Sequence, residues 1–213
     1  YVKLNEICNI AIRQLFDRYE YQARKKVSQF SFLYTQGVWI GSKKAKEEQL
    51  VGELLKQGTL SIGFIGLAEC VKALTGYHHG ENEESYDLAY KIVSFMRKKA
   101  DKAAEEFDMN FSLIATPAEG LSGKFVKQDR KEFGDIKNVT DRAYYTNSFH
   151  IPVHYPIRTV EKIEKEAPFH ELCNAGHITY VELDGDPCKN LDAFEQVVRC
   201  MKESGVGYGS INH

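Results

Sequence analysis

The chain has 213 residues, 43% of them hydrophobic and 27% charged, with a formal net charge of -2. That length can bury one substantial core, one domain or at most two, and the near-neutral balance gives no electrostatic basis for a nucleic acid or an anionic membrane as partner. There is no run of 18 apolar residues and no leader-like segment, so no membrane location is expected.

Residues 3 to 29 place apolar side chains at Leu4, Ile7, Cys8, Ala11, Ile12, Leu15, Phe16 and Tyr19, the i, i+3, i+4 spacing of a long amphipathic helix. Residues 30 to 40 are aromatic and punctuated by Gly37 and Gly41, which reads as a loop crossing the surface of the core. The mixed-sign cluster from Lys43 to Glu48 reads as a solvated helix start. Thr59 to Gly66 alternates small or polar residues with large apolar ones and runs straight into Leu67 to Leu74, stopped by Thr75 and Gly76. That is a strand leading into a helix. Tyr77-His78-His79-Gly80 has no third ligand at metal spacing and predicts a loop with exposed histidines. Ser85 is the expected cap of a long helix with a buried stripe of Tyr86, Ala89, Tyr90, Val93, Met96, Ala100, Ala103 and Phe107.

Residues 110 to 115 form a short apolar strand that ends abruptly at Thr116-Pro117. Thr116 is placed to be an N-cap, Pro117 fits the first helical position, and Glu119 three residues on completes a capping box, with the helix running to about Phe133 and ending at Gly134. Free N–H groups in that first turn, beside Gly120 and Gly123, can receive an anion, although a plain capped helix has the same local pattern. Arg142 to Ile151 is a second β-rich run, broken at Pro152 and Pro156, with Thr146, Asn147, Ser148 and His150 near its carboxyl end. A short helix from about Thr159 to Glu166 precedes the strand Ile178 to Leu183, a turn at Asp184-Gly185-Asp186, and a last helix capped by Asn190 with stripe Leu191, Phe194, Val197, Val198 and Met201. A final strand begins in Val206 to His213. The alternation of strand and helix argues an α/β fold with a largely parallel sheet and no internal boundary, either an open doubly wound sheet or part of a barrel. With no initiator Met and a strand-like run at its end, the chain is expected to be a piece of a longer protein.

Five scattered cysteines, Cys8, Cys70, Cys173, Cys188 and Cys200, contain no Cys-x-x-Cys pair, which fits reduced thiols of the cytoplasm. Cys173 reads as a small buried hydrophobe in preference to a nucleophile beside His170 or His177. No nucleophile elbow, dinucleotide fingerprint, Walker loop or His-Glu-x-x-His is present. The residues alone therefore yield a cleft and no reaction. Its polar candidates run from Thr116 to Gly123 and include Asn147, Ser148, His150, Asn174 and His177; His150 and His177 suit either acid–base work or structural hydrogen bonds.

Four stretches, Ala115-Thr-Pro-Ala-Glu-Gly-Leu-Ser-Gly-Lys-Phe125, Tyr144-Tyr-Thr-Asn-Ser-Phe-His-Ile-Pro-Val153, Leu172-Cys-Asn-Ala-Gly-His-Ile-Thr-Tyr-Val-Glu182 and Gly207-Tyr-Gly-Ser-Ile-Asn-His213, resemble the anaerobic (class III) ribonucleoside-triphosphate reductases. The resemblance implies a glycyl-radical enzyme reducing ribonucleoside triphosphates to deoxynucleotides, whose ten-stranded α/β barrel consists of two five-stranded halves; this chain would supply much of the second half. It further implies substrate contacts from Thr116, Ala118, Glu119, Gly120, Leu121, Ser122, Asn147, Ser148, His150, Asn174 and His177, with the phosphates on the 116–122 turn. A radical S-adenosylmethionine activase and a homodimer are implied for the whole enzyme. Its structural zinc and radical glycine are expected beyond His213 and its radical cysteine upstream of Tyr1, so no catalytic residue, metal or cofactor is expected within the 213 residues. The bland alternatives are a stand-alone phosphate-ligand binding module and a related glycyl-radical enzyme acting on a small acid.

Overall fold

The structure is a computed structural model that describes residues 1–183 and 185–212. Asp184 of the expected turn and His213 of the expected final strand lie outside the described residues. Contacts divide the chain into two compact units, residues 1–62 with 98–112 and residues 63–97 with those from 113 onward.

In the first unit, α1 (Val2–Ala23) turns Cys8 and Ile12 inward. Ile7, expected in the buried stripe, is half exposed. A 3-10 turn at Val27–Phe30 leads into α2 (Ser31–Thr35), a second 3-10 turn covers Ser42–Lys44, and α3 (Gly52–Leu55) follows. Residues 30 to 40 are thus partly helical, because Tyr34 is drawn into a small core with Val27, Val51 and Leu54. Trp39 packs on that core and donates from Nε1 to the Leu54 carbonyl at 2.6 Å. Strand β1 (Thr59–Phe64) pairs with β2 (Asn110–Ala115) in a two-stranded sheet, and within this unit the Ser61 and Ser112 hydroxyls meet at 2.9 Å.

The second unit carries the helices that follow each strand. Helix α4 (Leu67–Thr75) is bracketed by Gly66 and Gly76, both at positive φ, as the sequence led us to expect at its end. Helix α5 (Glu83–Phe107) starts earlier than its expected cap: Asn82 Oδ1 accepts from Ser85 N at 2.8 Å, so Ser85 lies inside the helix. Helix α6 (Glu119–Phe133) ends at Gly134 as expected, and α7 (Thr159–His170) runs four residues beyond Glu166 with Pro168 inside it. Strand β3 (Thr179–Glu182) pairs in parallel with β4 (Gly209–Asn212), joined by α8 (Leu191–Glu203). Asn190 caps α8, its Oδ1 accepting from Ala193 N at 3.1 Å. Ile163, Val181 and Met201 close the layer between β3 and its two helices.

Two expectations are corrected. The sheet is not continuous among the described residues: it consists of two separate pairs, β1 with β2 and β3 with β4. Residues 142 to 151 form no strand. Several of their backbone groups are taken by side chains instead of a neighbouring strand: Thr146 N donates to Glu69, Ile151 N donates to Glu166, and the Phe149 carbonyl meets His79 Nε2. The aromatic and β-branched residues that looked like a strand are anchors instead, with Phe149 and Ile151 fully buried.

His78 and His79 are not exposed either; both are buried, at 7% and 0% accessibility. His79 lies edge-on to Phe169 and bonds the Phe149 carbonyl at 2.8 Å, which gives its ring a place in the core. Burial, the largest effect, lowers the pKa of each imidazole to about 4.

Candidate functional site

The start of α6 differs from the expected capping box. The N-cap is Ala118, which has no side-chain bond to offer, while the Thr116 hydroxyl, just past the end of β2, turns back and donates to the Ile114 carbonyl at 3.5 Å. Thr116 lies so close to β1 that a Cβ on Gly63 would sit 2.0 Å from its Oγ1. This close approach keeps Thr116 off the helix. The cap is supplied from elsewhere in the sequence, since Ala118 N donates to Asn147 Oδ1 at 3.2 Å. A helix leaves the N–H groups of its first residues without intrahelical partners. Here those belong to Glu119, Gly120 and Leu121, all exposed, and nothing lies within 4 Å of a Cβ built on Gly120. Ser122 is buried and its hydroxyl donates to the Glu119 carbonyl at 3.1 Å. Glu119 makes no cap bond, so its carboxylate is not turned back as the box would require.

Beside the turn, the 140–147 segment is held along α6. Tyr145 OH donates to Asp129 at 2.7 Å, Arg130 Nε donates to the Thr140 carbonyl at 2.8 Å, and Gly123 lies near the Ala143 carbonyl. The other side of this segment lines a cavity of about 520 Å³, whose polar walls include Glu69, Thr146, Asn147, His150, Lys162 and Glu182. Behind it lies Glu166, at 0% accessibility. It accepts from Lys162 Nζ at 2.7 Å, from Ile151 N at 2.9 Å and, at a longer 3.4 Å, from His150 Nδ1. Burial opposes its ionisation, but the His150 hydrogen bond and the charges of His150 and Lys162 outweigh burial and hold the carboxyl at about 2. Lys162 also donates to the Tyr180 carbonyl at 2.7 Å. Glu69, Lys162 and Glu166 were absent from the residues singled out in the sequence, because helical carboxylates and lysines give no local signal of burial.

The family described as "Anaerobic ribonucleoside-triphosphate reductase" matches residues 1–213, the whole chain. The chain belongs to that family. It is 40% identical over 150 residues to the anaerobic ribonucleoside-triphosphate reductase of Escherichia coli (strain K12), covering 69% of this chain and 21% of that protein. With the Salmonella typhimurium enzyme of the same name it shares 35% over 197 residues, 91% of this chain and 27% of that protein. The crystal structure of the anaerobic ribonucleotide reductase from Thermotoga maritima with glycerol in the active site superposes with a TM-score of 0.63 at 17% identity, over 98% of this chain and 32% of that one, a likeness of fold. The chain therefore spans between a fifth and a third of the length of these relatives.

The remaining expected residues are placed as follows. Asn174 is exposed and its Oδ1 accepts from Leu113 N at 3.0 Å, fixing β2 beside residues 174–176. Ser148 is buried at a positive φ of 40°. His150 and His177 have different anchors: the first bonds Glu166, and the second donates from Nδ1 to the Cys173 carbonyl at 2.7 Å. The ring beside His177 is that of His170, 4.4 Å away between centroids. His170 accepts from Gly207 N at Nδ1 and meets the Thr179 hydroxyl at Nε2, and burial lowers its pKa to about 4. Cys173 is fully buried, and burial pushes its thiol up to about 12, so it is a buried hydrophobe as expected. Among the described residues no group of three His, Cys, Asp or Glu is placed to hold a metal, and no helix is long and apolar enough to cross a membrane.

Proposed function

We propose that the chain is part of the catalytic α/β barrel of an anaerobic ribonucleoside-triphosphate reductase and forms much of its second five-stranded half. The whole enzyme converts ribonucleoside triphosphates to 2'-deoxyribonucleoside triphosphates by glycyl and thiyl radical chemistry, in the cytoplasm, as a homodimer activated by a radical S-adenosylmethionine enzyme. This segment supplies the substrate cleft and the turn that receives the phosphates. Among the described residues no group of His, Cys, Asp and Glu is placed to hold the structural zinc of such an enzyme, and this reading gives no radical role to any of the five cysteines. No step is assigned to them.

The observation that carries the phosphate role is the start of α6. Three backbone N–H groups, of Glu119, Gly120 and Leu121, lie at an exposed helix N-terminus with open space over Gly120. The partial positive charge of that terminus adds to their hydrogen bonding towards an anion. The reading gives Glu119, Gly120 and Leu121 direct roles through their main chain, and Thr116, Ala118 and Ser122 roles in shaping the turn. Gly120→Val fills the open space, and calorimetric titration with CTP is expected to show at least about a tenfold loss of affinity. Unchanged affinity would remove the phosphate role from the turn.

A further inference from the structure

We propose that Glu69 and Asn147 are positioning residues that set the start of α6; the inference rests on the phosphate reading of that turn. Thr146 is held on both sides of its peptide. Its N–H and its hydroxyl donate to the same Glu69 oxygen, Oε1, at 2.9 and 2.6 Å, and its carbonyl accepts from Gly66 N at 2.8 Å. The next residue, Asn147, makes an isolated antiparallel bridge with Ile65, and its Oδ1 takes the Ala118 N–H. The start of α4, with Gly66 and Glu69, is thereby tied through two consecutive residues to the start of α6.

Three features make this tie more than packing. Glu69 is 93% buried, at 7% accessibility, and its second oxygen, Oε2, has no partner among the described residues. A buried acceptor left unpaired costs about 1–3 kcal/mol, a cost that an apolar residue filling the same space would not incur. What Glu69 supplies in return is the two-pronged hold on Thr146. Second, α6 lacks a cap of its own: Ala118 has no side-chain oxygen, and the third helical residue, Leu121, cannot reach back to the N-cap N–H as a Glu or Gln would. Asn147 fills that role from 29 residues away in sequence. Third, by accepting from Ala118, Asn147 uses its acceptor on the helix start, which leaves the next three N–H groups for an anion.

Hydrogen exchange at the Ala118 and Ser122 amides, followed together with calorimetric binding of inorganic tripolyphosphate, tests the tie. Asn147→Ala and Glu69→Ala are each expected to speed exchange at these two amides by about tenfold and to weaken tripolyphosphate binding, while the β3 and β4 amides stay as in the wild type. Glu69→Gln keeps an acceptor for Thr146 and should restore both readouts. Unaltered exchange at Ala118 and Ser122, or an equal rise across β3 and β4, overturns the inference. Binding lost in Gly120→Val but intact in Glu69→Ala and Asn147→Ala overturns it too, and leaves the phosphate reading standing. If exchange responds as expected while the wild type binds no tripolyphosphate, the positioning stands and the phosphate role of the turn falls. Should Glu69→Ala not fold, Asn147→Ala, at a half-buried position, decides the matter by itself.

Discussion

Glu166 carries its charge at zero accessibility, and three donors converge on it from Lys162, His150 and the Ile151 backbone. Removing the carboxylate leaves the Ile151 N–H and the Lys162 ammonium without it, the latter keeping only the Tyr180 carbonyl, and breaking a buried pair in this way typically costs about 3–5 kcal/mol. Glu166→Ala is expected to lower unfolding free energy by that amount in urea titrations at pH 7; a loss under about 1 kcal/mol would contradict the assigned hydrogen bonds. The pH dependence follows from the same groups. Burial lowers His78, His79 and His170 from 6.5 to about 4, so the folded state holds them neutral while the unfolded chain protonates them. Their contribution is fully present above about pH 6.5 and is lost as pH falls from there towards 4. Glu166, depressed from 4.5 to about 2, adds stability above 4.5 that is lost on further acidification towards 2. Melting temperature should therefore fall steadily from pH 7 to 4.5, and a plateau over that range would count against the buried neutral histidines.

Helices were more legible in the sequence than the connections between them. α4, α6 and α8 announce their ends through Gly76, Gly134 and Gly205, and Asn190 is a local cap with a local mechanism. The start of α6 was misread because its cap is not local. Thr116, which has the right residue type at the right spacing, is held just past the end of β2 against Gly63, and the cap comes from Asn147. Segment 142–151 was misread for the same reason: Glu69, His79 and Glu166, all distant in sequence, decide where its backbone groups go. Two substitutions separate these cases. Asn190→Ala should cost about 1 kcal/mol through lost capping, whereas Thr116→Ala should leave the cap of α6 intact. Gly63→Ala should destabilise by steric conflict with Thr116 Oγ1, and adding Thr116→Ala should recover part of the loss. Additive costs in that double variant would show that the two residues do not meet as described.

On the scale of the whole molecule, the α/β class and family membership were legible, the second because four motifs in the same order are far more specific than any one of them. The extent of the sheet was not, since the strand signals of 59–66 and 110–115 are as strong as those of 178–183, yet they pair into two separate ribbons. Several large apolar side chains face outward, including Val2 at 88%, Phe32 at 78% and Val38 and Ile40 at 72% accessibility. Apolar side chains left in water favour association, and the 213-residue chain studied by itself should associate, with a sedimentation coefficient that rises with concentration; a concentration-independent monomer would contradict this. The phosphate role of the α6 turn is tested most directly by backbone amide NMR during titration with tripolyphosphate. The account predicts saturable shifts that are largest at the Glu119, Gly120 and Leu121 amides and are abolished by Gly120→Val. Shifts confined to the cavity around Arg142 and Lys162, with the α6 turn unmoved, would contradict it.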